Sequence, residues 1–464
     1  MQENRENLME KIVSLCKRRG FIFPGSEIYG GLAGTFDYGP LGVVLKKNIE
    51  ESWWKHFVTN RTDMYGIDAA ILMNAKAWEA SGHVAGFSDP LVEDLETKKR
   101  YRADHLLEHI GHSATGLTLD ELNSKIQSLV SAGMLETPEG GILRKIGNVR
   151  QFNMMFKTQI GATEDPTSIS YLRPETAGGM FVNFKNVLDT FHPRLPFGLA
   201  QIGKAFRNEI APRDFIFRLR EMSQMEIEYF CNPRDWEKVF EELRREFTSW
   251  MTSIGLPAEN IHEVEIGDGD RAHYSKRTID FEFDFPIGQK ELAGLAYRTD
   301  FDLKQHGEYS KTDLSYFDEE LKERFIPHCI EPSVGLERTF LAVLSSAYKE
   351  ETVGEGDIRT VLQFKPSIAP IQIAVLPLSK KEELSTKARD VASSLRKIAR
   401  VSYDETQSIG KRYRRQDEIG TPYCVTVDFD TLTDNAVTVR DRDTMKQERV
   451  EIAKLSVYLQ EKLA

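Results

Sequence analysis

Arginine and glutamate recur at short spacing between residues 206 and 228. Phe206-Arg207-Asn208-Glu209 closes one apolar run, and Phe217-Arg218-Leu219-Arg220-Glu221 opens another that continues through Gln224 and Glu226. A guanidinium is a rigid fork of donors suited to phosphate or carboxylate oxygens, and a carboxylate suits an amine. Held on one surface, the two kinds would take a ligand that carries both phosphate and amine. Arginines are also common on solvated hairpins, so this stretch by itself leaves function open.

Two strands must position these groups. Leu199 to Phe206 is apolar-rich. From Leu219 to Phe230 the chain alternates, with Arg220, Met222, Gln224, Glu226 and Glu228 on one side and Leu219, Met225, Ile227 and Tyr229 on the other. Period two predicts an antiparallel pair joined by a long loop, with one polar and one packed face. Ile279 to Phe285 alternates aromatic and acidic residues, and after a turn at Pro286-Ile287-Gly288 the next run begins with Glu291-Leu292. Upstream, Arg173-Pro174-Glu175-Thr176-Ala177 puts Glu175 where a strand gives way to a helix, a place from which a buried acid can face an amine. Cys329 to Gly335 reads as a strand that turns at glycine into a helix with Arg338 in its first turn. Such a helix start favours anions.

Around these lie a helix over 5–19, a helical run from Val44 to Val58 opened by Pro40, and strands from Met64 to Met73 and from Phe152 to Ile160. Thr118 and Glu121 form a capping box before a helix reaching about Ala132, and another helix runs from Asp235 to Ile254. His262 and His273 stand alone and read as surface or packed residues. Beyond Pro366 and Pro370, short strands at 371–376, 401–403, 423–427 and 436–440 alternate with helices over 380–399 and from about 449. That pattern predicts a small mixed α/β domain. Its basic run Lys411-Arg412-Tyr413-Arg414-Arg415 is a candidate RNA contact.

The 206–228 stretch resembles motif 2 of class II aminoacyl-tRNA synthetases and is most similar to the homodimeric glycyl-tRNA synthetases. Residues 34–83, ending in Trp78-Glu79-Ala80-Ser81-Gly82-His83, resemble motif 1, the dimer-forming element, and 329–346 resemble motif 3. Arg173 to Ala177 and the run from Glu291 to Leu303 resemble further signatures of that group. The resemblance implies an α+β fold: a class II antiparallel-sheet catalytic domain over 1–369, a helical, charged insertion at 88–150, and a C-terminal mixed α/β anticodon-binding domain over 370–464. It implies activation of glycine with ATP to glycyl-adenylate, release of pyrophosphate, and transfer of the glycyl group to the 3' end of tRNA(Gly).

By that resemblance Arg207, Glu291 and Arg338 are expected to be catalytic, with Glu291 binding Mg2+. ATP binding is expected from Arg207, Asn208 and Glu209, from Phe217, Arg218, Leu219, Arg220, Glu221 and Met222, from Glu291 and Leu292, and from Gly335, Leu336, Glu337 and Arg338. Glycine binding is expected from Arg100 and Glu175, from Met222, Ser223, Gln224, Met225 and Glu226, and from Glu331, Pro332, Ser333, Val334 and Gly335. Three residues depart from the family pattern. Ala75 stands where proline is usual. Gly178 stands where glutamine is usual, and is expected to loosen its helix by about 0.5–1 kcal/mol. Met222 stands where phenylalanine would stack on adenine, which reduces the stacking area. Rival readings are a noncatalytic relative, which intact Arg207, Glu291 and Arg338 argue against, and a synthetase for another small amino acid. Glu175 and its flanks argue for glycine.

Composition bounds the rest. A chain of 464 residues, 40% hydrophobic, can bury two or three cores. It has no run of about 18 apolar residues, so no membrane span is expected, and its charged amphipathic start lacks the apolar region of a signal peptide. Cys16, Cys231, Cys329 and Cys424 are far apart, which points to a reducing cytoplasm and no zinc site. The net charge of −11 lies outside 371–464, which is slightly basic, so phosphate binding must come from local patches. RNA is neither favoured nor excluded on this ground, and DNA is not an expected partner.

Overall fold

A computed structural model describes residues 2–162, 168–269, 271–272, 274–354 and 356–463; His273 lies outside them. The larger part is built on a seven-stranded sheet. Its strands in chain order are β1 (Met64–Gly66), β2 (Phe197–Phe206), β3 (Glu221–Cys231), β4 (Ile261–Glu265), β5 (Arg277–Phe285), β6 (Gly288–Thr299) and β7 (His328–Gly335). They lie in the order β4-β5-β6-β7-β3-β2-β1. Neighbours are antiparallel except β1, which runs parallel to β2.

Period-two patterning explains which way each strand faces. The odd side chains Met225, Ile227 and Tyr229 of β3 join Phe281, Phe283 and Phe285 of β5 in one core. Trp53 and Phe57 cover that core from one side, and Phe247 and Trp250 of the helix Trp236–Ser253 from another. Burying each such ring contributes on the order of 1.5–3 kcal/mol. The polar face of β3 is also covered. Ser223 through Cys231 are all buried, because the helix Ala177–Phe191 packs over the even side chains. Gln224, Glu226 and Glu228 therefore face inward.

Two expected strands are shorter than their sequence patterns. After Gly66 the chain leaves the sheet, and the carbonyl of Ala69 is taken by the buried Arg173 guanidinium (2.7 Å) instead of a neighbouring strand. The run 152–160 breaks at Asn153, whose side chain accepts the N–H of Met155 (2.9 Å). Its first part, Arg150–Asn153, joins Ser88–Glu93 and Arg100–Arg102 in a small sheet, and its second, Lys157–Gln159, pairs with Ile169–Tyr171. The small sheet shares a core with the helices Ala103–His109 and Leu119–Ser131, through Val92, Leu106, Leu122 and Ile126. The capping box forms: Thr118 Oγ accepts from the Glu121 amide at 3.3 Å, and the Glu121 carboxylate accepts from the Thr118 amide at 2.9 Å.

From Ile373 onward the chain forms a five-stranded mixed sheet, which includes an edge strand, Gln447–Glu451, where the sequence pattern suggested only helix. In the basic run 411–415 only Arg412 is buried, Lys411 is exposed, and the other three are half-buried. In the helix Ile409–Ile419, Arg412 is buried and donates to the carbonyls of Pro377 and Asp404, and Tyr413 bonds Thr426 (2.6 Å). Arg414 pairs with Asp357 and Arg415 with Asp404. On the same helix Asp417 is fully buried between Arg440 (2.9 Å) and Arg359 (2.9 Å), the latter on the strand Asp357–Leu362. This cluster fastens the helix to the hairpin that precedes the C-terminal sheet. No helix among the described residues is long and apolar enough to cross a membrane.

Removing one member of a buried ionic cluster leaves the others desolvated and unpaired, at a cost of about 3–5 kcal/mol. Asp417→Ala is expected to lower unfolding stability by that order, read as a fall in the urea midpoint. An unchanged midpoint would refute the role given to the cluster.

Candidate active site

The even side chains of β3 and the adjoining ends of β2, β6 and β7 enclose a cavity of about 360 Å³. One end is cationic. At the end of β2 the chain turns sharply, with the Glu209 amide donating to the Arg207 carbonyl (2.7 Å) and the Arg207 amide to the Arg220 carbonyl (2.9 Å). Arg207 is oriented by a hydrogen bond to the Pro174 carbonyl (3.2 Å) and by the Phe87 ring, 5.5 Å away. Arg218 stands 3.9 Å from Glu209, whose buried Oε2 has no hydrogen-bond partner. Arg338, in the first turn of the helix Leu336–Ala347, lies over the Phe217 ring at 4.5 Å and pairs with Glu291 at 2.9 Å. Its charge holds the Glu291 carboxyl below the usual range. Leu219, Met222, Leu292, Gly335 and Glu337 complete this part of the wall.

The other end is acidic. The Glu226 carboxylate accepts from Ser333 Oγ (2.6 Å), from Thr176 Oγ and from Gln224 Nε2 (3.4 Å). Burial, with the charge of Glu175, still raises its pKa. Burial would also raise Glu175, yet His83 at 3.4 Å, Arg298 and Arg207 bring its carboxyl down to about 2. Glu331 is pushed up to about 8 by burial against the pull of Arg298, with Glu226 and Glu175 adding to the push. Below them Glu228 is fully buried and accepts from Cys329 Sγ (2.9 Å); burial and Glu331 hold its carboxyl well above the usual range. Arg298, 1% exposed, grips Asp302 through Nε (2.8 Å) and Nη2 (2.7 Å) and pairs with Glu331. Tyr274 covers its guanidinium at 3.8 Å. Chemically, one end suits phosphate oxygens and the other is short of positive charge and suits an ammonium group.

Several expected ligand residues are not brought to the cavity. Arg100 lies on the surface of the small sheet, pairs with Glu93 at 3.5 Å, and its side chain is 59% exposed and away from the cavity lining. Strand alternation turns Ser223, Met225 and Val334 to the opposite face: Ser223 accepts from Lys46 (3.1 Å), and Met225 and Val334 lie in the core. Pro332 is buried without lining the cavity, and Leu336 packs in the same core. Glu221 is exposed and pairs with Lys204 (2.9 Å); Asn208 is half-buried, its amide on the Met154 carbonyl (2.7 Å). Arg220 turns its guanidinium onto backbone carbonyls.

Four residues that the sequence reading passed over belong to the site. Arg298 could have been found as a lone cation inside an apolar run, four residues before Asp302. Arg102 lines the cavity and is locked by Asp89 (2.9 Å) and Asp104; it sits two residues from Arg100, so only the strand's position separates the two. His83 lies within the quoted motif 1 flank, and its Nδ1 meets Ser81 Oγ at 2.8 Å. Nothing in the local sequence marks Tyr274.

An antiparallel sheet carrying such a cavity, with arginines on its motif 2 hairpin and motif 3 helix, defines a class II tRNA synthetase. Residues 156–347 match the family "tRNA synthetase class II core domain (G, H, P, S and T)", and 372–462 match "Anticodon binding domain". The chain is 51% identical to the glycine--tRNA ligase of Alkaliphilus oremlandii (strain OhILAs), over 99% of both chains. It is 53% identical to that of Acetivibrio thermocellus and 52% to that of Geobacillus thermodenitrificans, each over 98% of both chains. The chain belongs to the glycine--tRNA ligase family.

The start of the helix Ala177–Phe191 sets Glu175, and Gly178 proves necessary there. A Cβ at 178 would lie 2.8 Å from Cζ3 of the fully buried Trp78. The expected looseness of a helical glycine is outweighed by this close approach. Gly178→Ala, worth about 1 kcal/mol of gain by propensity alone, is expected to destabilise by about 1–2 kcal/mol through overpacking. A raised melting temperature for this variant would contradict the packing argument.

Proposed function

We propose that this chain joins glycine to tRNA(Gly) in two steps. A carboxylate oxygen of glycine attacks the α-phosphorus of ATP, forming glycyl-adenylate and expelling pyrophosphate. A terminal ribose hydroxyl of the tRNA then attacks the glycyl carbonyl, and AMP leaves. The observation that carries this reading is the two-ended cavity: Arg207, Arg218 and Arg338 at one end, Glu175, Glu226 and Glu331 at the other. The first step spreads charge over phosphate oxygens, so positioning and fixed cations supply the catalysis and no side-chain nucleophile is required.

In this reading Arg207 holds the α-phosphate and the attacking carboxylate, and Arg218 and Arg338 hold the outer phosphates. Glu209 meets the adenine amine. Glycine offers nothing but its ends, so the acids read its ammonium while Arg207 takes its carboxylate. Ser333, held on Glu226 at 2.6 Å, is the group that would exclude a side chain in this reading. Simple pocket discrimination of one methyl is worth about 1–3 kcal/mol, which steric exclusion exceeds.

Magnesium fits the oxygen donors at the mouth of the cavity. Glu291 is 51% exposed there, and Asp280, whose carboxyl is raised to about 7 by burial beside Glu291 and Glu282, stands on the neighbouring strand. Among the described residues no group of three or more candidate ligands is assembled. An ion here would be held by one or two carboxylates together with substrate phosphates. Bound there, it would neutralise phosphate charge.

The division into a catalytic body over 1–369, with its insertion at 88–150, and a tRNA-reading unit over 370–464 belongs to the same proposal. So does assembly as a homodimer, supported by the exposed apolar side chains Ile28, Tyr29, Leu32 and Val43 beside the start of the helix Pro40–Trp54. The buried free thiols of all four cysteines accord with a cytoplasmic setting.

ATP–pyrophosphate exchange tests the reading directly. Exchange is expected with glycine, at least about 100-fold less with alanine or serine, and none with Arg207→Ala. Exchange that ignores the choice of amino acid would overturn it. A second expectation concerns pH. Ammonium binds best to ionised acids, and Glu226 and Glu331 carry raised pKa values in the free site. At low pH glycine must displace protons from them, so its KM is expected to fall as pH rises from about 6 to about 8. A KM that is flat or rises across that window would show that these acids do not receive the ammonium.

A further inference from the structure

Arg220 sits in the arginine-rich hairpin but does not line the cavity. Its Nε and Nη2 donate to the Glu209 carbonyl at 3.2 and 3.0 Å, and its Nη1 donates to the Ala33 carbonyl at 2.9 Å. Its backbone bonds residues close to these, on the same two segments. The amide donates to the Gly34 carbonyl (2.9 Å), and the carbonyl accepts from Arg207 at the base of the Glu209 turn (2.9 Å). The Ala33-Gly34 segment is in turn seated closely on the hairpin. Gly34 has φ +76°, and a Cβ there would lie 2.6 Å from Pro212 Cβ and 3.3 Å from Arg220 Cγ. Farther along, Phe36 meets Phe215 edge-on at 5.2 Å, and the Tyr38 hydroxyl donates to Glu337 at 3.2 Å. This strap therefore touches both the hairpin loop and the start of the helix that carries Arg338.

We propose that Arg220 is a positioning residue for nucleotide-base recognition: it clamps the Glu209 turn to the strap so that the Glu209 carboxylate is presented to the 6-amino group of adenine. The clamp acts on the Glu209 carbonyl and leaves the carboxylate alone. Glu209 lines the cavity wall, and its buried Oε2, 3.9 Å from Arg218 Nη1, has no hydrogen-bond partner, so it has acceptor capacity left for a donor from a ligand. Only a planar fork can bridge two carbonyls in this way; a lysine ammonium, a single point charge on a flexible stem, cannot hold both in one geometry. The proposal rests on the reading of Glu209 as the group that meets adenine.

The experiment compares ATP with purine riboside triphosphate, which lacks the 6-amino group, in glycine-dependent pyrophosphate exchange. The wild-type protein is expected to show a KM about tenfold lower for ATP, the value of one hydrogen bond to a charged acceptor. Glu209→Gln should abolish most of that preference. Arg220→Lys and Arg220→Ala should raise the ATP KM about tenfold, shrink the preference to within about twofold, and leave the glycine KM unchanged. The lysine variant keeps the result readable if alanine impairs folding, which far-UV circular dichroism checks. If the wild type shows no preference, the reading of Glu209 falls and the proposal with it. If the wild type shows it and the Arg220 variants retain it while binding both nucleotides less tightly, Arg220 grips the phosphates and the proposal alone is overturned.

Discussion

A buried sheet face that carries more carboxylates than cations is the constraint on which the rest of this fold depends. Glu226 and Glu228 project from the middle of β3 and are 1% and 0% exposed. Moving an ionised carboxylate from water into such a place costs several kcal/mol even after relaxation. The protein offsets the cost by three means. Arg298 is held flat under Tyr274 and takes Asp302 and Glu331 together. The hydroxyls of Ser333 and Thr176 satisfy Glu226. Glu228, with a single thiol donor, is held toward its neutral form. What remains unbalanced is the space among Glu175, Glu226 and Glu331, where a small cation would complete the charge. In the function proposed above, the glycine ammonium is that cation, the missing member of an otherwise closed electrostatic set.

Register makes this set possible. Glu226 lies opposite Ser333 on β7 and Gln201 on β2, and Glu331 lies opposite Ala296 on β6. A slip of one residue would turn Met225 and Ile227 into the cavity and send both glutamates into the aromatic core. The core aromatics therefore do more than stabilise. Phe281, Phe283 and Phe285, with Trp53, Phe57 and Trp250, make every alternative register costly, and so fix which side chains meet the ligand. Packing on one face of the sheet specifies chemistry on the other.

The same logic explains what the sequence disclosed. Alternation in Leu219 to Phe230 gave the hairpin and the facing of its side chains, because period two is local information. Family signatures pointed to Arg207, Arg218 and Arg338 and to the acids at 175, 226 and 331, which line one cavity. The failures share a cause: each depended on a partner far along the chain. That Arg173 would take the Ala69 carbonyl, ending β1 early, cannot be read at residue 69. Arg100 and Arg102 have the same type and the same strand parity, and only the distance from Asp89 and the cavity distinguishes them. The partners of the basic run at 411–415, Asp357, Asp404 and the carbonyl of Pro377, could not be read there because they are not its neighbours in sequence. Gly178 looked like a flaw in a helix until Trp78, a hundred residues earlier, occupied the space of its side chain.

The two ends of the cavity are thus held by different kinds of constraint, with different consequences for change. At the acidic end the ligand-facing groups are spaced by sheet register and neutralised by one guanidinium, so a substitution alters fold stability and charge balance together. At the cationic end the groups ride on a turn and a helix start, held by hydrogen bonds from loops: Arg207 by the Pro174 carbonyl, the Glu209 turn by Arg220, and Glu337 by Tyr38 and the Ser223 amide (2.7 Å). Loops can shift by fractions of an ångström without unfolding a sheet, and phosphate-binding geometry is sensitive to shifts of that size. In the proposed function, the amino acid is thus read by groups spaced by the register of the central sheet. The nucleotide is placed by groups on a turn and a helix start, where small shifts can accompany charge moving from the α-phosphate to the leaving pyrophosphate.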